Sequence, residues 1–241
     1  MVYRFEESET ITTSTDQLVN TFIDAMCRVY LWMAGGLFIT AIVATFIAQT
    51  NNVVNLILAN PIIFFGLFLG QIGLVIVISS RINRLAPMKA LGLFFLYSAL
   101  MGVTLSSVFL VYNLGTIGLA FGITTALFTA MSIVGLTTKK DIAKLGPILF
   151  ISLFGLIIAS LANLFLQSSG IEWLVSFAGV IIFMGLTLYH SKQIKSLTFQ
   201  ALSEDDPDAV SRVGIIGALS LYLAFINLFL FLLTILGKGK N

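Results

Sequence analysis

The sequence predicts an all-α membrane protein: seven transmembrane helices in a bundle with the C-terminal helix at its centre. Three observations carry that reading. First, 58% of the 241 residues are hydrophobic and only 10% are charged, where soluble domains carry roughly a quarter charged residues. Second, seven apolar runs follow one another at Tyr30–Ala48, Pro61–Ser80, Ala90–Tyr112, Thr116–Leu136, Pro147–Leu166, Trp173–Tyr189 and Val213–Leu236, each near the length of about 20 residues that crosses a bilayer as a helix. Third, basic residues fall after alternate runs. Arg81, Arg84 and Lys89 follow the second, Lys139, Lys140 and Lys144 the fourth, and Lys192, Lys195 and Arg212 the sixth, while the loops after the first, third and fifth have none.

Residues 1–29 form the N-terminal segment, 30–237 the membrane domain and 238–241 a short tail. Met1–Asp24 carries Glu6, Glu7, Glu9, Asp16 and Asp24 without a short apolar core, which is not the pattern of a cleavable signal peptide. The first membrane helix is expected to serve as its own insertion signal. Arg4 and Arg28 precede it, so every basic residue except Lys238 and Lys240 lies on one side. The excess of Lys and Arg on the cytoplasmic side of membrane proteins then gives a cytoplasmic N-terminus and a C-terminus on the opposite side, which needs an odd number of spans.

Between the third and fourth runs only Asn113, Leu114 and Gly115 remain, enough for a tight helical hairpin. The one acidic cluster, Ser203–Asp208, precedes the last run and contains Pro207. Asp and Pro suit a helix start, so the expectation is a solvated cap; the cluster lacks the glycine and ligand spacing of an EF-hand. Glu172 beside Trp173 is expected to mark the opposite membrane interface.

The last run is the one the others are arranged around. Gly214, Gly217, Ser220, Ala224, Asn227 and Thr234 fall on one stripe of a helix. Small residues let membrane helices approach, and Ser, Asn and Thr bond across the contact, so this helix belongs inside a bundle.

No charged side chain lies within the seven runs, although such residues are the default markers of function in a membrane. Gln71, Asn163 and Asn227 are the amides inside spans, either bonding between helices or lining a polar path. His190, the single histidine, directly follows the sixth run at the expected cytoplasmic end of helix six and is either an interfacial hydrogen-bonder or a switch near neutral pH. Enzymes are set aside. There is no H-E-x-x-H, no G-x-S-x-G and no pair of carboxylates inside the spans, as zinc, serine or aspartyl hydrolysis would need. Cys27 is the lone cysteine, so no intrachain disulfide or cysteine metal site forms. A metal site and cofactors are not expected, and no basic tract suggests nucleic acid.

Four stretches carry a resemblance: VYLWMAGGLFIT, FLYSALMGVTLSSVF, TTKKDIAKLG and GALSLYLAFINLFLFLLTILG. Together they resemble the Bax inhibitor-1 family, especially its compact bacterial members, over essentially Val29–Gly237. The resemblance implies a seven-helix bundle centred on the last helix in the inner membrane, a pH-sensitive calcium leak, and roles in stress resistance and cell survival. It also implies an acidic pair, one Asp after the Tyr near the end of helix six and one in helix seven, with an Arg near the end of helix two as partner in some members. The corresponding residues here are His190, Ala224 and Arg81. Two carboxylates share a proton; His opposite Ala does not. Three readings follow. One is a calcium or cation leak with altered pH response, gated by His190, Arg81, Asn227 and Ala224 and lined by residues such as Ser98, Ser106 and Ser220. Another is a non-conducting regulator that binds a membrane protein, as the YccA-like branch binds a membrane protease. The last, a gradient-coupled transporter, is disfavoured by the lack of intramembrane charge.

Overall fold

The computed structural model describes residues 3–50, 60–203 and 206–238. Seven helices long and apolar enough to cross a membrane account for nearly all of these residues. They are α1 (Tyr3–Ala48), α2 (Pro61–Arg81), α3 (Pro87–Leu105), α4 (Leu114–Thr137), α5 (Leu145–Leu166), α6 (Ser169–Ser203) and α7 (Pro207–Lys238). Six of the seven predicted runs lie wholly on them, and the third, Ala90–Tyr112, runs past the end of α3. α1 continues without a break through residue 30.

The helix ends follow from local chemistry. Asn60 caps α2 by accepting from the Ile62 amide at 3.1 Å, with Pro61 in the first turn. α3 stops at Leu105, where the Ser106 and Ser107 hydroxyls donate to the carbonyls of Val103 and Thr104 at 2.7 and 2.9 Å. Such back-bonding competes with the helical ladder. A single turn, Val108–Val111, follows, and Asn113 then caps α4 through the Thr116 amide at 2.8 Å. The tight hairpin predicted between the third and fourth runs is therefore built on an asparagine cap. Asp206 accepts from the amides of Asp208 and Ala209 at 2.9 and 3.1 Å, so the acidic cluster does start the last helix; Glu204 and Asp205 lie outside the described residues. At the other end of α4, Lys195 Nζ donates to the Leu136 carbonyl at 2.7 Å and Lys192 Nζ to the Lys140 carbonyl. Cations suit a helix C-terminus, so these two lysines pin α6 to α4 on the basic face.

α7 is at the centre. More than half of its most apolar stretch, 56%, is buried, against 11% for α2 and 6% for α5. It packs on α1, α3, α4 and α6, whereas α2 packs on α3 and α5 on α6. Exposed apolar residues on the rim, such as Ile62, Leu31 and Phe165, face the bilayer where they belong. α1 and α3 approach closely at two glycines: a Cβ on Gly36 would meet Ser98 Oγ at 2.8 Å, and one on Gly102 would meet the Thr40 carbonyl at 2.7 Å. That approach brings three polar groups together. Thr40 Oγ1 lies 2.8 Å from the Ser98 carbonyl, 2.9 Å from the Gly36 carbonyl and 2.6 Å from Tyr222 Oη. Tyr222 is fully buried, with edge-on contacts to Phe94 and Tyr97.

Candidate functional site: a row of cavities along the central helix

The stripe on α7 divides into two uses. Gly214 packs beneath Trp32 of α1 and Gly217 beneath Ile194 of α6. Ser220, Ala224 and Asn227 instead line a cavity of about 740 Å³, bounded by α2, α3, α5 and α6. The small stripe is therefore half a packing face and half a cavity wall.

Two further cavities adjoin this one. On the basic face, a space of about 360 Å³ is lined by Ser79, Asn83, His190, Gln193, Arg212 and Ser220 among others. Toward the opposite face, a space of about 520 Å³ is lined by Ser160, Asn163, Gln167, Glu172, Ser176 and Thr234 with Phe231. His190 and Ser220 line both the basic-face and the central cavity. Ser160 and Phe231 line both the central cavity and the far one. α7 is one continuous helix, so its residues order the three spaces along its axis: Ala209 to Ser220, Ser220 to Phe231, Phe231 to Thr234. At 1.5 Å per residue that distance is about 37 Å, comparable with the roughly 30 Å hydrocarbon thickness of a bilayer.

The two necks differ. At the first, His190 has a hydrogen bond with Gln193 one turn on and edge contacts with Phe150 and Tyr189. At the second stands an aromatic ring: Phe231 stacks on Phe183 with centroids 5.8 Å apart and fills the space beside Gly179, where a Cβ would come within 2.6 Å of the ring.

The structure places the expected residues unevenly. His190, Ala224 and Asn227 come together around the central cavity, and Ser220 joins them. Asn227 Nδ2 donates to the Leu223 carbonyl of its own helix at 2.8 Å. Arg81 is exposed and lines none of these cavities. The basic residue beside His190 is Arg212, which the sequence offers only as a topology signal. Ser98 and Ser106 are buried in helix packing away from the cavities, bonded to the carbonyls of Phe94 and Val103. His190 is also not at the end of its helix. α6 runs on to Ser203, because Ser191, Ile194, Thr198 and Ala201 keep a buried face beyond the apolar run.

Of the amides, Gln71 bonds between helices: its Nε2 donates to the Leu100 carbonyl at 3.0 Å and to Thr104 Oγ1 at 2.7 Å. Gln71, which also lines the central cavity, is expected on replacement by Leu to lower stability by about 1 kcal/mol, the upper range for such bonds in membrane proteins, read as a reduced thermal midpoint in detergent. An unchanged midpoint would mean that this bond does not hold α2 to α3. Asn163 caps α5, accepting from the Ser168 amide at 3.1 Å beside Gln167, which takes the left-handed conformation at φ 49°. Glu172 sits in the first turn of α6, as its interfacial reading requires.

The fold and the site define a class: an all-α, seven-span membrane protein whose cavities follow a buried central helix. Residues 19–241 match the family described as inhibitor of apoptosis-promoting Bax1. The chain is 44% identical over 215 residues to the inner membrane protein YbhL of Escherichia coli, covering 89% of this chain and 92% of that protein. It is 42% identical over 216 residues to an uncharacterized protein of Borreliella burgdorferi, covering 90% and 92% of the two chains. An uncharacterized protein of Deinococcus radiodurans is 36% identical over the full length of both. The chain belongs to the Bax inhibitor-1 family.

Proposed function

We propose that the chain is a cation leak, with calcium as a candidate ion, in a bacterial inner membrane, oriented with its basic face toward the cytoplasm and acting in ion homeostasis and stress survival without enzymatic chemistry. The observation that carries this reading is the row of three cavities along α7, in which neighbouring cavities share His190 and Ser220, then Ser160 and Phe231, as wall residues. Likeness to an inner membrane protein supports the location. The orientation follows from the basic loops.

The pH response in this reading has a definite sign. A neutral imidazole offers a nitrogen lone pair to a passing cation; a protonated one repels it. Among the described residues no carboxylate lines either cavity that His190 touches, and the charged group lining the same space is Arg212 from α7. Protonation therefore adds positive charge to the cavity that Arg212 lines. Calcium flux into proteoliposomes is expected to fall as the pH is lowered from about 8 to about 5, a range wide enough to cover histidine protonation, and His190→Ala is expected to abolish that dependence. Flux that rises toward low pH would overturn the assigned sign.

The same lack of carboxylates favours a second reading, a non-conducting regulator that binds another membrane protein such as a protease. Absence of flux at every pH, in wild type and in Phe231→Ala alike, would replace the leak with that reading.

A further inference from the structure

We propose that the chain binds one anionic phospholipid, with the phosphate in the basic-face cavity and an acyl chain in the central one. The inference does not depend on whether the cavities conduct.

The central cavity is a cleft with an opening to the side. α2 and α5 form its flanks, and each packs on a different neighbour, α3 and α6, with no substantial packing on one another. The flanking side chains Phe68, Ile72 and Ile76 of α2 and Phe150, Ile157 and Leu161 of α5 are all exposed as well as cavity-lining. In a chain that spans a bilayer, the medium against that opening is hydrocarbon. About 740 Å³ is within the size of sites that hold small organic ligands, roughly 300–1,000 Å³.

The adjoining basic-face cavity has the opposite chemistry. Ser79, Asn83, Gln193 and Arg212 line it with hydrogen-bond donors. Arg212 Nε is buried without a hydrogen-bond partner among the described residues. Its Nη2 reaches the exposed Asp208 carboxylate only at 3.5 Å, so the guanidinium keeps donors for a second anion. Guanidinium forks match phosphate oxygens. Arg212 lies at the edge of the apolar run of α7, the depth of a headgroup, and Arg81, Arg84 and Lys89 surround the same face and draw anionic lipid to it. The two spaces join at His190 and Ser220, so one amphipathic molecule reaches both.

The test is native mass spectrometry of the full chain in detergent, titrated with phosphatidylglycerol or phosphatidylcholine of the same acyl chains. Wild type is expected to retain a single phosphatidylglycerol about tenfold more strongly than phosphatidylcholine, the worth of one charge-assisted hydrogen bond. Arg212→Gln is expected to remove that preference, Arg212→Lys to restore part of it, and Ile157→Trp, which fills the exposed cleft without touching the polar cavity, to weaken both lipids. Equal retention of the two lipids by wild type, or unchanged binding in both Arg212→Gln and Ile157→Trp, would overturn the proposal. Complete displacement of phosphatidylglycerol by inorganic phosphate would overturn the acyl half, leaving a simple anion pocket.

Discussion

Replacing Tyr222 by Ala is expected to destabilise the bundle by about 4 kcal/mol, the range for losing a fully buried aromatic side chain. Tyr222 has no exposed surface, its ring meets Phe94 at 5.6 Å and Tyr97 at 5.9 Å, and its hydroxyl lies 2.6 Å from Thr40 Oγ1. One side chain thus joins α1, α3 and α7. Tyr222→Phe separates the two contributions. It keeps the ring and removes the hydroxyl, and Thr40 still donates to the carbonyl of Ser98 or Gly36. The expected loss is then about 1 kcal/mol, as for other interhelical hydrogen bonds in membranes. Thermal unfolding of the purified variants in one detergent measures both. Equal losses in the two variants would show that the hydroxyl, rather than the packing, holds the junction.

Gly135→Ala is expected to cost about 3 kcal/mol, at the upper end for overpacking. Its Cβ would lie 2.9 Å from Ser191 Cβ and closer still to the Leu188 carbonyl. A backbone carbonyl in a helix has no rotamer to turn away, so α4 and α6 must separate. They would separate within one turn of His190, so the variant is also expected to disturb the neck between the first two cavities. Gly122→Ala, on the same helix with open space around it, is the control. It is expected to be neutral or to gain up to about 1 kcal/mol from helix propensity. A Gly135→Ala variant that unfolds at the wild-type temperature would mean that α4 and α6 pack less closely than described.

Both sites show where sequence reading stops. The seven spans, the hairpin at Asn113 and the cap at Asp206 were legible because each depends on a few consecutive residues: apolar length, a side chain able to accept from its own backbone two or three residues on, a proline at a first turn. The central place of α7 was legible too, since a stripe of Gly, Ser, Ala and Asn has no use against lipid. Residues of the candidate site were only partly legible. His190, Ala224, Asn227 and Ser220 share one cavity, but Ser98 and Ser106, equally polar in the sequence, are absorbed in helix packing. A hydroxyl that donates to its own helix carbonyl looks the same in sequence as one that faces a cavity. In the sequence Arg212 is only a topology charge, because nothing local separates a solvated arginine from one with a buried Nε. Phe231, one of 21 phenylalanines, carries no mark that it stands at a neck.

That this chain crosses the membrane as seven helices, the last with neighbours on several sides, follows from its residues alone. Hydrocarbon requires every backbone group to be bonded within its own segment, so length and composition suffice to set the helices. Which faces meet is settled by packing, and with it the two necks, the lateral cleft between α2 and α5, and the place of Arg212 in a cavity that His190 also lines. Those features arise where helices far apart in sequence pack closely or fail to, and in a membrane that choice rests on the fit of side chains rather than on hydrophobicity, which the lipid supplies to every face alike.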